Sequence, residues 1–248
     1  MFLTVDSPRA RAACGTNQSA VIDLSTWSVV QYDVFTQPNA TWTLSESNTV
    51  ALQSVNADAS ILLSPFILEN DQIQGSWQVS TNEDDDFMGF VFGYQDDRHF
   101  YLFDWKEFSQ SNTTWGTSLQ GMSVKVINAE TPLTSVDLGA TIPVDTSRVR
   151  LLYHNDILWQ HFTNYDFSLE FRPGHFTITV TEATNVLDTI VIDDATYTNG
   201  QFGFYNFSQS MVRYAGFTRS LLSPRSVISV RTALWWKATS ERRIWFSR

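Results

Sequence analysis

A single cysteine, Cys14, serves all 248 residues, so no internal disulfide can form and the fold cannot lean on covalent staples. No run of 18 apolar residues occurs, so no transmembrane segment is expected. The first 18 residues, "MFLTVDSPRARAACGTNQ", lack an apolar stretch of signal-peptide length, although "ARAA" has the small residues of a cleavage site. Residues 1–21 therefore read as a leader-like segment, a truncated signal. Glycine (11) and proline (7) are too sparse for a fibrous or low-complexity chain. Basic residues are scarce as well. Residues 1–218 carry 9 Lys/Arg against 25 Asp/Glu, a net −16, and such a body repels nucleic acid instead of displacing its counterions. The chain contains no HExxH, no P-loop and no GxSxG. The ExDxxE strand pattern of concanavalin-like glycosidases is missing too. The four histidines (His99, His154, His161, His175) have no metal-type spacing and read as ordinary surface or partly buried residues.

What is abundant is apolar and β-favouring. Hydrophobic residues make up 43% and aromatics 14%, enough for a large core, while Thr, Ser, Val and Phe favour sheet over helix. Strand-length runs occur at 75–81, 87–95, 99–106, 121–128, 148–154, 165–171, 175–182, 187–193, 200–208 and 211–218. Turn clusters such as "QDDR", "ETP", "PVDTS", "RPG" and "YTNG" separate them. Closely spaced strands without amphipathic helices between them predict an all-β, antiparallel sandwich or jelly roll. "FVFGY" is apolar on both faces and belongs in the middle of the stack. Gly89 and Gly93 within it call for something packed close to the backbone. The last 30 residues differ: 7 basic residues, one acid and three tryptophans make 219–248 a basic tail, expected to be poorly ordered.

The most informative segment is "NEDDDFMGFVFGYQDDRHFYLFDWK", residues 82–106. Four acids, Glu83 to Asp86, stand at the mouth of an apolar strand. Like charges about 4 Å apart repel by about 1 kcal/mol in water and about 4 kcal/mol near a protein surface. Two readings answer this. Calcium takes 6–8 oxygen ligands, and clustered aspartates meet that demand while the cation removes the repulsion. Alternatively the acids are a solvated charge run that guards the strand against edge pairing. If the strand alternation extends through them, Asp84 and Asp86 share one ion and Asp85 faces away or bridges to a second. Asn82, Glu83, Asp96 and Asp97 are candidates to complete a shell. The acidic turns "ENDQ" (69–72) and "IDDA" (192–195) read as plain loops. Asp104 is the lone catalytic candidate, and its other reading is an exposed edge position. Trp115, in the polar loop "SQSNTTWGTS", is the aromatic expected at the surface. Asn39, Asn112 and Asn206 are sequons that matter only on a eukaryotic secretory route.

"DDDFMGFVFGYQ" followed by "HFYLFDWK" resembles the C-terminal lectin-like domain of the thrombospondins. "GSWQVST", "LQGMSVKVIN", "VRLLYH", "WQHFTNYDFSLEFRP" and "NGQFGFYNFSQSMVRYAGF" keep that family's order from about residue 22 to 218. The resemblance implies a concanavalin A-like (L-type lectin-like) β-sandwich over 22–218. It also implies Ca2+ as cofactor, with Asp84, Asp85 and Asp86 as metal ligands. The function it implies is a non-enzymatic, calcium-binding module for extracellular recognition or adhesion, secreted or at the cell surface, with an extracellular protein or a glycan as partner. The EGF-like and Asp-rich repeats that precede the domain in thrombospondins do not occur in this sequence, as in free-standing bacterial members. Two alternatives stay open: a carbohydrate-binding or carbohydrate-active protein on the same fold, and a structural envelope or matrix module.

Overall fold

The computed structural model describes residues 20–223. Cys14, the rest of the expected leader up to residue 19 and the basic tail from 224 onward lie outside the described residues. Two antiparallel sheets face each other. One runs, from edge to edge, Asn185–Ile192, His175–Glu182, Tyr165–Arg172, Asp71–Val79, Val212–Leu221, Val50–Gln53 and Trp42–Ser45, with Ala20–Val21 pairing onto Val212–Leu221. The other runs Val149–His154, Gly121–Asn128, His99–Lys106, Phe87–Asp96, Gly200–Phe207, Ser60–Leu68 and Ser28–Gln31. This is the antiparallel sandwich that the strand spacing predicted, in the concanavalin-like form that the family resemblance implied.

The two sheets differ in what their sequences must satisfy. Asp71–Val79 alternates cleanly: Ile73, Trp77 and Val79 point into the sandwich, and Gln72, Gln74, Ser76 and Gln78 point out. Phe87–Asp96 is buried on both faces over its first eight residues. Its Phe90 and Phe92 join the inter-sheet core, where Phe90 stacks on Phe103 at 4.8 Å and Phe167 stacks on Trp77 at 4.7 Å. Its Phe87 and Val91 point the other way, into a second core with Phe100, Leu102, Ile127 and Tyr205. That second core is roofed by the segments 107–120 and 129–147, on either side of the strand Gly121–Asn128, which contribute Trp115, Leu133 and Leu138. The molecule thus has a third layer over the seven-stranded sheet, and "FVFGY" is apolar throughout because both its faces are covered. Gly89 is required here: a Cβ at this position would lie 2.0 Å from the Phe103 carbonyl oxygen of the neighbouring strand.

The roof corrects one expectation. Trp115 is buried, stacked on Phe35 at 4.9 Å and edge-on to Phe207 at 5.6 Å. The polar composition of its loop belongs to the hairpin Gln110–Asn112 and Gly116–Ser118 around it. The strands Ser28–Gln31, Trp42–Ser45, Val50–Gln53 and Ser60–Leu68 add to those expected from sequence. Asn206 is fully buried and accepts a hydrogen bond from Gln53 Nε2 at 2.7 Å, so its sequon is closed to modification in the folded domain. The acidic turns carry structural partners: Asp71 Oδ1 pairs with Arg219 Nε at 2.8 Å, and Asp194 accepts from the Tyr101 hydroxyl at 2.6 Å and from Arg150 at 2.8 Å.

Candidate metal centre

The strand Phe87–Asp96 begins at Phe87, so Asp84, Asp85 and Asp86 precede it on a loop and strand alternation does not govern them. The loop is pinned from several sides. Ser80 N donates to Met211 O at 2.8 Å, Asp86 N donates to Gln209 Oε1 at 2.8 Å, and Asp85 O accepts from Glu107 N at 3.1 Å. The result brings all three acids together: one carboxylate oxygen from each lies within 4.8 Å of the others.

Their partners are unequal. Asp86, buried, takes Lys106 Nζ at 2.5 Å. Asp85 shares that ammonium at 3.3 Å and accepts from Gln110 Nε2 at 2.9 Å. Among the described residues Asp84 has no cation of its own. Its Oδ2 accepts from Asn56 Nδ2 and its Oδ1 from Asp85 N at 3.0 Å. Burial pushes the Asp84 carboxyl up to about 6, with the charge of Asp86 adding to that rise and the Asp85 N–H opposing it. Three neighbouring carboxylates therefore have one lysine beside them, and it meets Asp85 and Asp86 but not Asp84.

A cleft of about 360 Å³ opens beside the loop, lined by Asn82, Glu83, Asp84, Asp85, Glu107, Phe108 and His161. Two of the candidate extra ligands, Asn82 and Glu83, line it. Asp96 and Asp97 do not, because they sit at the far end of the ten-residue strand Phe87–Asp96, where Asp96 meets His99 Nδ1 at 2.7 Å. The donor set is all oxygen and predominantly anionic, which suits a hard divalent cation such as calcium. Lys106 limits how much of Asp86 is available to such an ion. Where the ion is bound, Asp84 and Asp85 would hold it, with Asp86 turned between it and Lys106. Sequence reading did not single out Asn56, Gln110 or Gln209. Each comes from a distant segment and carries no motif.

Asp104 lies elsewhere. It is buried, not an edge residue, and is held by Lys125 Nζ at 2.7 Å and by the Ser123 hydroxyl. Lys125 spends its remaining protons on the carbonyls of Leu138 (3.1 Å) and Ala140 (3.2 Å), at the short capped helix Ser135–Gly139 of the roof. His161 is partly buried and its Nε2 lies 2.9 Å from Glu107 Oε2.

With the loop and sandwich described, comparison becomes informative. A family model described as the thrombospondin C-terminal region matches residues 37–220, which takes in most of both sheets and the acidic loop. The chain belongs to the thrombospondin C-terminal family. Human thrombospondin-2 is 31% identical over 191 residues, covering 73% of this chain and 16% of that protein. Cartilage oligomeric matrix protein from Bos taurus is 29% identical over 194 residues, covering 74% of this chain and 25% of that protein. The chain therefore spans a quarter or less of these relatives. In fold, the domain is similar to lectin II from Ulex europaeus, with a TM-score of 0.50 and 9% identity, covering 79% of this chain and 99% of that one. Among the described residues no helix of this thrombospondin C-terminal domain is long and apolar enough to cross a membrane.

Proposed function

We propose that this domain is a non-enzymatic, calcium-binding module for extracellular recognition or adhesion, with Asp84, Asp85 and Asp86 as cation ligands and a protein or glycan as partner. The observation that carries this reading is the convergence of three carboxylates, only two of which meet a lysine, with Asp84 left without a cation partner among the described residues beside an open cleft. Membership of the thrombospondin C-terminal family supports it. A relative whose name places it in cartilage matrix supports an extracellular setting. The confinement of Asp104 in a buried ion pair favours a binding role over hydrolysis, because it removes the one acid that sequence offered for catalysis. The cation in this reading ties the 82–86 loop to the neighbouring Lys106–Gln110 segment and stiffens that end of the sandwich.

Thermal unfolding in calcium and in chelator tests the reading. An ion that binds only the folded state adds about 2.7 kcal/mol at a hundredfold excess over Kd. For a domain of this size, that raises Tm by roughly 5–10 °C. An unchanged Tm at millimolar calcium overturns the proposal.

A further inference from the structure

A second cleft, of about 460 Å³, is lined by Asp33, Val34, Phe35, Thr36 and Thr114 and shares no lining residue with the one beside the acidic loop. Small-ligand clefts run from roughly 300 to 1,000 Å³. Both of its walls are held in place. On one side, Asp58 is 1% exposed and gives its carboxylate to the backbone: Oδ2 accepts from Val34 N at 2.9 Å and Phe35 N at 2.7 Å, and Oδ1 accepts from Ala59 N at 2.7 Å. A buried carboxylate is costly unless donors meet it, and here the donors that meet it fix the cleft wall. Gln37 Nε2 ties the end of the same loop to Asn56 Oδ1 and Ser208 Oγ, both at 2.8 Å. On the other side, Asn112 Oδ1 accepts from Thr114 N and Trp115 N at 2.9 Å each, and Thr114 O accepts from the Ser135 hydroxyl at 2.8 Å. Phe35 joins the two walls by stacking on Trp115 at 4.9 Å. Three polar groups are left over. Among the described residues the Asp33 carboxylate and the Thr36 and Thr114 hydroxyls have no hydrogen-bond or ion-pair partner, and all three residues are exposed.

We propose that this cleft binds a neutral sugar residue of a glycan, with Phe35 against the C–H face of the ring and Asp33, Thr36 and Thr114 hydrogen-bonded to its hydroxyls. The inference rests on the recognition reading above and takes the glycan from the two partner classes named there. A sugar ring has an apolar face and a rim of hydroxyls. The cleft offers an aromatic side chain, a carboxylate that accepts from two hydroxyls, and two hydroxyls that donate or accept. Charge sets the class of glycan. No basic side chain lines the cleft, and the net −16 of residues 1–218 disfavours sulfated or sialylated chains. Walls already held lose little binding energy to ordering. Trp115 acts here without being exposed: it backs Phe35 and sets the plane of its ring.

The test places the full chain on an array of neutral glycans ending in glucose, galactose, mannose or fucose, with sulfated and sialylated glycans beside them, in calcium and in chelator. Binding to one or more neutral glycans is expected. Asp33→Ala should raise the Kd for them tenfold or more and leave Tm unchanged, because its carboxylate has no partner to lose. Phe35→Leu keeps apolar bulk against Trp115 but removes the ring, and should weaken binding as well. If Phe35→Leu does not fold, Thr114→Val, at an exposed position, takes its place with the same expectation. A parent protein silent on every neutral glycan, or bound only to sulfated and sialylated ones, overturns the inference. So does neutral-glycan binding that Asp33→Ala and Thr114→Val both leave unchanged. The calcium reading is judged separately. Silence on the array with a Tm that calcium raises removes the sugar site and keeps the metal centre. Binding that Asp33→Ala weakens, in a protein whose Tm ignores calcium, supports the sugar site and removes the metal centre.

Discussion

Two lysines on adjacent strands, Lys106 and Lys125, are both buried against aspartates, and they do opposite things. Lys125 meets one aspartate, Asp104; the Ser123 hydroxyl also donates to that carboxylate, and the ammonium donates to Leu138 O and Ala140 O. Charge balances, and the pair fastens the 129–147 part of the roof to the seven-stranded sheet. Lys106 meets Asp85 and Asp86 while Asp84 stands by with no cation. Charge does not balance, and a cleft lies alongside. The same residue types serve as a staple where their numbers match and the surroundings are dry. Where acids exceed bases at an opening, they form a site that a cation can complete. Stoichiometry and access, more than burial alone, separate structure from function here.

The largest expected effect lies at the staple. Lys125→Met keeps the chain length but strands Asp104 in the interior, and breaking a buried pair from one side costs about 3–5 kcal/mol. Urea unfolding should show that loss with or without calcium. The double change Lys125→Met with Asp104→Leu should recover much of it, because a buried ion pair replaced by packed apolar groups is often neutral. A single change that costs under about 1 kcal/mol, the range of exposed pairs, would mean that the pair is solvated and the contrast with Lys106 is false.

At the open cluster, the effect should depend on the ion. Asp84→Asn removes the unmatched charge, so in chelator the variant should be as stable as the parent or more so. In calcium it should lose the ion's contribution, about 2.7 kcal/mol at a hundredfold excess over the parent Kd. Paired melting curves in calcium and chelator measure both arms. A variant that loses equal stability in both would make Asp84 a structural acid like Asp104.

Much of this was legible in the sequence, and what was not follows a pattern. The later strands and their antiparallel sandwich class follow from alternation in residues such as Ile73, Trp77 and Val79, and from turn chemistry between the runs, while the order of strands in each sheet does not. Alternation fails where both faces are covered or strands are short. Ser60–Leu68 holds nine residues around Pro65, and the ladder that Gly200–Phe207 makes with it slips between Gln201 and Gly203. Ser28–Gln31 is too short for a period of two to stand out. Asp104 and Trp115 were misjudged for one shared reason: neither periodicity nor local polarity reveals that 107–120 and 129–147 fold back over the sheet. The aspartate triplet was visible because it is contiguous. Lys106 was visible only as the end of a motif. Its pairing with the triplet depends on the register of Phe87–Asp96 against His99–Lys106, which places Met88 opposite Trp105 and so brings the lysine level with the acids.

The smallest effect is a pH dependence that differs between the open cluster and a closed acid. In chelator, the Asp84 carboxyl is held at about 6 by burial and by the charges of Asp86 and Asp85, against an ordinary value of 3.8. The folded state then binds the proton more tightly than the unfolded chain, so stability rises as pH falls from 7 through about 6 and levels off near 4. Burial also raises Glu107 across the cleft, with the charge of Asp85 assisting and His161 and Lys106 opposing, so it adds in the same direction. Asp194 behaves oppositely. Burial works against it too, but hydrogen bonds from Tyr101, Thr196 and Arg150 outweigh that and hold it at about 2, so its stabilisation is lost as pH falls from about 4 toward 2. Tm in chelator should therefore peak near pH 4. The upper limb, between about pH 4 and 7, should flatten in Asp84→Asn, while the acid limb should keep its shape. Saturating calcium should flatten the upper limb of the parent as well, because the ion supplies the compensation that the proton otherwise provides. An upper limb that is level in the parent protein in chelator would show that Asp84 is already matched without an ion, and the open cluster would then be as closed as the staple.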